Sequence, residues 1–359
     1  MKCRNCVARL VGVALMLSLP CAANATRGAF DVERWYSILD NVRDRAASNG
    51  ISNDVIDATL KYPAFIPSIV KSDKNQAEFK LTLDDYLART VNSVRIKNGK
   101  KMRNTYPTML NRVYQTYGVQ PHVILAFWGL ESNYGQYRAA HKLTDAFLTL
   151  MYDGRRETFF GNQLLALMKL ADENSLDIND IRGSWAGAMG HFQFIPTTLQ
   201  QYGADGNGDG KIDIIHSVGD AMFSAGNYLA RLGWNPNERI VRRVMLPADF
   251  DVSLLDGKTK KTLVEWANMG VMNPDGSQIP IVDMTAGLVA DVNQINAQRA
   301  AAIAAAASAT PNSNAVDTDI APMPVVYAYL TYPNFYRIKK WNSSNWYAIA
   351  IATLADELK

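Results

Sequence analysis

The sequence predicts a mainly α fold (α+β), a helical body that carries one small β-containing insertion. Three observations carry this prediction. Apolar residues recur at helical spacing through the first half, proline and glycine bracket several of those runs, and from about Arg242 to Val292 the texture breaks into short mixed segments. The length of 359 residues exceeds what one hydrophobic core usually holds, so two or three lobes are expected.

The first 25 residues read as a secretory leader. Lys2, Arg4 and Arg9 open it, Leu10 to Leu19 is an uncharged apolar run, and Ala23-Asn24-Ala25 is an A-x-A cleavage site. The run is too short to span a bilayer. A lipoprotein reading of Leu17-Ser18-Leu19-Pro20-Cys21 competes with this, and Pro20 directly before the cysteine argues against it. All three cysteines, Cys3, Cys6 and Cys21, fall inside the leader, so the mature chain would hold no thiol and rely on no disulfide. Cleavage would also remove three of the 37 basic residues and none of the 34 acidic ones, leaving 34 of each. The net charge of +3 then belongs to the leader, and neither nucleic acid nor a broad anionic surface is implied as partner. The destination expected is the periplasm, as a soluble monomer.

Residues 26–118 are expected to form an N-terminal helical domain. Trp35, Ile38, Leu39 and Val42 keep helical spacing, and so do Leu83, Tyr86, Leu87, Val91 and Val94, with Thr82 and Asp85 able to cap the second run. Pro107 opens a helix that should end near Gly118. Residues 119–241 are read as the functional core. There Pro121 opens a helix running through Val123, Ile124, Leu125, Phe127 and Trp128 to Glu131, and Ser217 and Gly233 bracket another that contains Ala221, Ala225, Tyr228 and Leu229. Pro247, Gly257, Pro274-Asp275-Gly276 and Pro280 punctuate the β-containing insertion, 242–293. Residues 294–324, rich in Ala, Asn, Ser and Thr, lack large side chains and read as a flexible insertion, with a short alanine helix around Ala297 to Ala307. An aromatic-rich segment, 325–359, closes the core with a helix of Ile349, Ile351 and Leu354 character.

Chemistry concentrates in two places. Glu131 ends an apolar run, and about fifty residues later Gly183 to Ile195 read G-S-W-A-G-A-M-G-H-F-Q-F-I, a glycine-rich, side-chain-poor stretch with one amide. A glutamate in that position is most often the solvated end of a core helix. Its company here argues otherwise: Ser132, Asn133, Tyr134 and Gly135 form a polar turn while Phe127 and Trp128 supply apolar walls. Partial burial disfavours the charged carboxylate, which suits a general acid working near neutrality. Asp145 and Asp153 lie downstream in contexts that do not suggest a second catalytic carboxylate.

Glu131-Ser132-Asn133-Tyr134-Gly135, Gly187-Ala188-Met189-Gly190-His191-Phe192-Gln193-Phe194-Ile195-Pro196-Thr197-Thr198, Asp220-Ala221 with Asn227-Tyr228-Leu229 and Gly233-Trp234, and Pro333-Asn334-Phe335-Tyr336 with Asn342 and Tyr347-Ala348 together resemble the membrane-bound lytic murein transglycosylase B family. The resemblance runs from about Phe30 to Leu358 outside the alanine-rich insertion. It implies a lysozyme-like α core that cleaves the β-1,4 bond of peptidoglycan between N-acetylmuramic acid and N-acetylglucosamine without adding water, with no catalytic cofactor. Glu131 matches the family's acid and base. Arg155, Arg156, Ser184, Gln193, Tyr228, Asn342 and Tyr347 match its substrate-binding positions, the arginines expected at a peptide or lactyl carboxylate. Trp341 stands where a tyrosine is usual, which exchanges a phenol for an indole and keeps a face for stacking on sugar. His191 also departs from the family pattern and receives no role.

Asp205 to His216 follow a calcium-loop register, with Asp205, Asn207, Asp209 and Asp213 as oxygen donors and the Lys211 carbonyl at position 7. Position 12, where a bidentate glutamate belongs, is His216. The resemblance places an EF-hand-like loop there, so a weak structural calcium is expected. A hydrolytic muramidase using the same groove and a catalytically silent wall-binding scaffold are the alternative functions.

Overall fold

The structure, a computed structural model, describes residues 30–75, 81–136, 139–308 and 325–359. The leader with its cysteines, and residues 309–324 of the alanine-rich stretch, lie outside the described residues.

Helices come first: α1 (Val32–Ser48), α2 (Asn53–Leu60), α3 (Pro67–Lys74), α4 (Leu83–Thr90), α5 (Ser93–Thr105) and α6 (Pro107–Tyr117). In α1 the run Trp35, Ile38, Val42 and Ala46 is buried as the spacing requires, and Asp31 caps the start by accepting from the Arg34 amide. The periodic run from Leu83 to Val94, expected as one helix, is two. Asn92 ends it by accepting the Arg95 amide at 2.9 Å and capping α5, because a short side-chain acceptor satisfies an orphan N–H better than continued winding does.

The core is built on α7 (Pro121–Ser132), α8 (Leu143–Asp153), α9 (Glu157–Asn174), α10 (Pro196–Tyr202) and α11 (Val218–Arg231). Two short strands, β1 (His141–Lys142) and β2 (Arg182–Gly183), pair antiparallel beside them. Prolines at the first turns of α6, α7 and α10 supply a preset φ where no amide donor is needed. Val123 to Trp128 on α7 are almost fully enclosed, so this helix is a central strut rather than a surface element.

The β lobe holds β3 (Val241–Leu246), β4 (Asp256–Thr262), α12 (Leu263–Asn268), β5 (Thr285–Val289), α13 (Val292–Ser308) and β6 (Val326–Thr331). Its sheet is antiparallel in the order β3-β6-β5-β4. The core of this lobe is separate and centres on Trp266, whose indole donates to the Ala286 carbonyl at 2.8 Å. Two boundaries read from the sequence shift. Val326 to Thr331, assigned to the segment that closes the core, instead complete the sheet of the β lobe between β3 and β5, where Val326, Ala328 and Leu330 face its core. The alanine helix read around Ala297 to Ala307 is present and starts earlier, at Val292, within the segment assigned to the β-containing insertion. Asp291 accepts the Gln294 amide at its start, Ile295 anchors it in the β-lobe core, and alanine is the best helix former.

The chain returns through α14 (Pro333–Trp341) and α15 (Asn345–Glu357), and α15 packs along α7. Among the described residues no helix is long and apolar enough to cross a membrane.

Candidate active site

Glu131 sits in the last turn of α7, and that turn is locked. The Asn133 amide bonds the Gly129 carbonyl, the Tyr134 amide bonds the Trp128 carbonyl, and both Asn133 and Tyr134 take left-handed backbone angles. The Tyr134 hydroxyl then donates to the Arg95 carbonyl at 3.0 Å, tying the turn to α5.

Two donors from the returning chain reach the carboxyl. The Trp341 indole donates to Glu131 Oε1 at 3.0 Å, and the Tyr347 hydroxyl donates to the same oxygen. Among the described residues no hydrogen bond reaches Oε2. Phe127 lies against the site, with ring centres 4.8 Å from Trp341 and 6.2 Å from Tyr347. Burial among these rings pushes the Glu131 carboxyl up to about 7, while the bonds from Tyr347 and Trp341 favour the anion and pull the other way. Burial and the neighbouring Glu131 hold the Tyr347 phenol well above its ordinary value, so it remains a donor.

The glycine-rich segment forms the facing surface. Met189, Phe192 and Phe194 turn into the core, and Met189 pairs with Phe194 and Gly183 as isolated bridges. Ser184 and Gln193 are left on the open side. The Ser184 hydroxyl accepts the Ala188 amide at 3.0 Å, and the Gln193 amide nitrogen donates to the Gly190 carbonyl at 3.0 Å. Gln193 itself is left-handed, with φ of 50°. A cavity of about 380 Å³ opens along the glycine-rich segment, lined by Ser132, the residue after Glu131, and by Arg182, Gly190, His191 and Gln193 among others.

His191, assigned nothing from the sequence, braces this surface to α7. Its Nδ1 accepts the Trp128 indole at 3.0 Å, its carbonyl accepts the Ser132 hydroxyl at 2.6 Å, and burial lowers its proton affinity. Tyr228 is drawn to the same place. Its hydroxyl donates to the Lys340 carbonyl at 3.3 Å, and its ring lies 5.0 Å from Trp341 and stacks on Tyr202 at 4.4 Å. Asn342 is exposed, and its side-chain oxygen accepts the Ser344 amide in the turn joining α14 to α15.

Arg155 and Arg156 are not part of this cluster. Both pair with the buried Asp73 on α3, Arg155 also bonds Asp153, and Arg156 lies over the Phe160 ring. Their contacts fasten α3 to the junction of α8 and α9, whereas Glu131 is held by α7, α14 and α15. Asp145 is likewise occupied, accepting the Ala64 amide at 3.0 Å. Neither Asp145 nor Asp153 is among the groups that shift the proton affinity of Glu131.

Sequence reasoning missed three contributors. From the sequence Trp341 offers only a stacking face, His191 has no role and Tyr86 on α4 is helix packing, whereas in the structure Trp341 donates to Glu131, His191 accepts from Trp128 and the Tyr86 phenol lies within electrostatic reach of Glu131. Aromatic residues on helices usually mark core, so nothing local distinguished them.

The loop from Asp205 to His216 turns its oxygens on its own backbone. Asp205 accepts the Gly208 and Gly210 amides, Asn207 accepts Asp209, Asp209 accepts Lys211, and Asp213 accepts Ile215 and His216. Asp220 fastens the loop by accepting the amides of Gly206, Asn207 and Asp213. The oxygen-rich donor chemistry suits a hard cation, but the ring nitrogen of His216 lies 2.8 Å from Asp213 Oδ2 where a second carboxylate would be needed. Among the described residues no three His, Cys, Asp or Glu side chains converge in a metal-holding group.

A family model described as "Transglycosylase SLT domain" matches residues 34–356. "Membrane-bound lytic murein transglycosylase B" of Escherichia coli strain K12 is 33% identical over 156 residues, which is 43% of this chain and 43% of that protein, less than half of the relative's length. The crystal structure of SltB3 from Pseudomonas aeruginosa, in complex with NAG-anhNAM-pentapeptide, superposes with a TM-score of 0.77 at 33% identity over 90% of this chain and 79% of that one. The structure of Escherichia coli Slt35 in complex with calcium gives a TM-score of 0.70 at 25% identity, covering 90% and 92%.

Proposed function

We propose a reaction for this chain from the premise that it belongs to the Transglycosylase SLT domain family: it is a lytic murein transglycosylase acting on peptidoglycan glycan strands. The observation that carries the reading is one partly buried carboxyl, Glu131, with a proton affinity near neutrality and one oxygen held by two donors. Protonated Glu131 gives its proton to the glycosidic oxygen as the bond from the muramoyl C1 breaks. The resulting carboxylate takes the proton of the C6 hydroxyl as that oxygen bonds to C1, leaving a 1,6-anhydromuramoyl end. No water is consumed, and an internal hydroxyl has a large effective concentration over solvent. Asp145 and Asp153 being engaged elsewhere supports a mechanism with one carboxylate rather than two.

Ser184 and Gln193 are proposed to bind the sugar and its acetamido group from the open side of the glycine-rich segment, with Tyr228, Asn342 and Tyr347 on the opposite wall. Arg155 and Arg156 are proposed to meet a peptide carboxylate only with the guanidinium edges that Asp73 and Asp153 leave free. The compartment proposed is the periplasm, where the leader would deliver the chain as a monomer.

Mass spectrometry of digested sacculi tests the reaction: anhydro ends are expected, and reducing ends that take up heavy-oxygen water would replace it with hydrolysis. The pH dependence follows from Glu131. The acid form is needed in the free enzyme, so kcat/KM should be level below the carboxyl's midpoint and fall as pH rises past about 7. A profile still rising above pH 8 would contradict the assignment.

The calcium reading is proposed in a weak form. Asp205, Asn207, Asp209, Asp213 and the Lys211 carbonyl would hold the ion, which would brace the loop and supply no chemistry. Calorimetric titration with calcium should give a weak site, and chelation should lower the melting temperature only slightly because Asp220 already fastens the loop. Unfolding on chelation, or no heat of binding at millimolar calcium, would count against it.

A further inference from the structure

We propose that Trp341 is a positioning residue for Glu131: its indole N–H, together with the Tyr347 phenol, reserves Oε1 as an acceptor and leaves Oε2 as the one oxygen that gives and receives the proton. The inference rests on the Glu131 reading above and adds to it which oxygen reacts and what makes that choice.

The argument begins with donor chemistry. An indole nitrogen can only donate a hydrogen bond, whereas a phenol can donate or accept. A carboxyl protonated on Oε1 would aim its hydrogen into the space where the Trp341 N–H already points, at 3.0 Å. That protonation state therefore loses a bond, and the one with hydrogen on Oε2 keeps both. The restriction holds in the acid and in the carboxylate, so the oxygen that released the proton is also the one left free to take the next.

The indole is held where it must be. Its ring lies 4.8 Å from Phe127, 5.0 Å from Tyr228 and 5.1 Å from Phe194, so it is walled by three elements. The step from Trp341 to Tyr347 is set by a closed turn: Asn342 accepts the Ser344 amide at 3.0 Å, and the Ser344 hydroxyl accepts the Tyr347 amide at 3.3 Å. Two donors six residues apart thus arrive on one oxygen as a preformed pair. Preorganised donors of this kind need no rearrangement when the charge appears on the carboxylate.

The test replaces Trp341 by β-(3-benzothienyl)alanine, in which sulfur stands for the N–H at nearly unchanged shape, with Trp341→Phe as the encoded companion. The Glu131 carboxyl is followed directly by carbon-13 NMR titration, its signal identified by subtraction of Glu131→Gln, and kcat/KM is measured against pH on purified glycan strands. Losing a donor to the anion should move the carboxyl midpoint up by about one pH unit in both variants. The falling limb of kcat/KM should move with it, and KM should stay within about twofold. An unmoved midpoint in the benzothienyl protein overturns the proposal, as does a raised KM with an unmoved limb, the mark of a stacking surface alone. A wild-type enzyme that left no anhydro ends would defeat the reaction proposed above while the titration still decided the role of Trp341.

Discussion

Glu131→Gln is expected to lower kcat on sacculi by at least about 10³-fold while binding to intact wall is kept. The magnitude follows from the double use of one group, since general acid or base catalysis alone contributes roughly 10²- to 10⁴-fold and both steps here depend on the same carboxyl. The amide retains an oxygen able to accept from Trp341 and Tyr347, so the local geometry should survive. Sedimentation with purified wall and product analysis by mass spectrometry, run on both proteins, separate binding from turnover. Equal turnover in the two proteins would remove Glu131 from the reaction, and wall binding with no turnover in either would leave only the scaffold.

The same substitution should change stability in a pH-dependent direction. The carboxyl is held more tightly protonated in the fold than in the unfolded chain, about 7 against an ordinary value of 4.5. The folded state therefore binds more protons in that window, and stability present below pH 4.5 is lost as pH rises through 7. Glutamine carries no such dependence. At pH 8 the variant should be more stable than wild type by on the order of 3 kcal/mol, read from denaturant melts, and the advantage should vanish near pH 4. A site that trades stability for function behaves in this way.

Gly187→Ala is expected to lower stability sharply and to disturb the site. Gly187 has φ of 95°, a backbone region L-residues rarely enter, and an added Cβ would lie 2.2 Å from Cε1 of Phe147. Phe147 is fully enclosed, so its ring has nowhere to retreat. Strain at the backbone and overpacking in the core together should cost roughly 3 kcal/mol or more. The damage should also reach the site, because Gly187 lies between Ser184 and Gln193 in the turn where its amide bonds the Ser184 carbonyl. Gly208→Ala is the comparison: its φ is 86°, nothing lies within 4 Å of the added Cβ, and only the conformational cost of about 1 kcal/mol remains. Equal losses in the two variants would show that the fit against Phe147 is looser than the structure has it.

Several features of the molecule were legible before any coordinates. The apolar run of α7 and its Pro121 start, the capping of α11 by Ser217, and the left-handed stop at Gly118 are local: each depends on residues within one or two turns of the place where it acts. Glu131 and the glycine-rich segment stood out for a related reason, since a side-chain-poor stretch with one amide is poor core material wherever it folds. The break at Asn92 was local too, yet the apolar period ran through it, and the cap prevailed over the period.

The return of the chain was not legible. Trp341 and Tyr347 are separated from Glu131 by the whole β lobe, and a cluster of aromatic residues near the end of a sequence reads first as core. Much of it is core; what turns two of those residues into hydrogen-bond donors is the packing of α15 along α7 and the turn that sets their spacing. Arg155 and Arg156 show the reverse, an exposed basic pair in the sequence that the fold commits to Asp73. Sequence by itself determined which groups are available and where helices start and stop, because propensity, capping and apolar period act over a few residues. Only the tertiary structure decided which oxygen of Glu131 is held and which is free, because a hydrogen bond forms between groups a few ångströms apart in space however many residues lie between them.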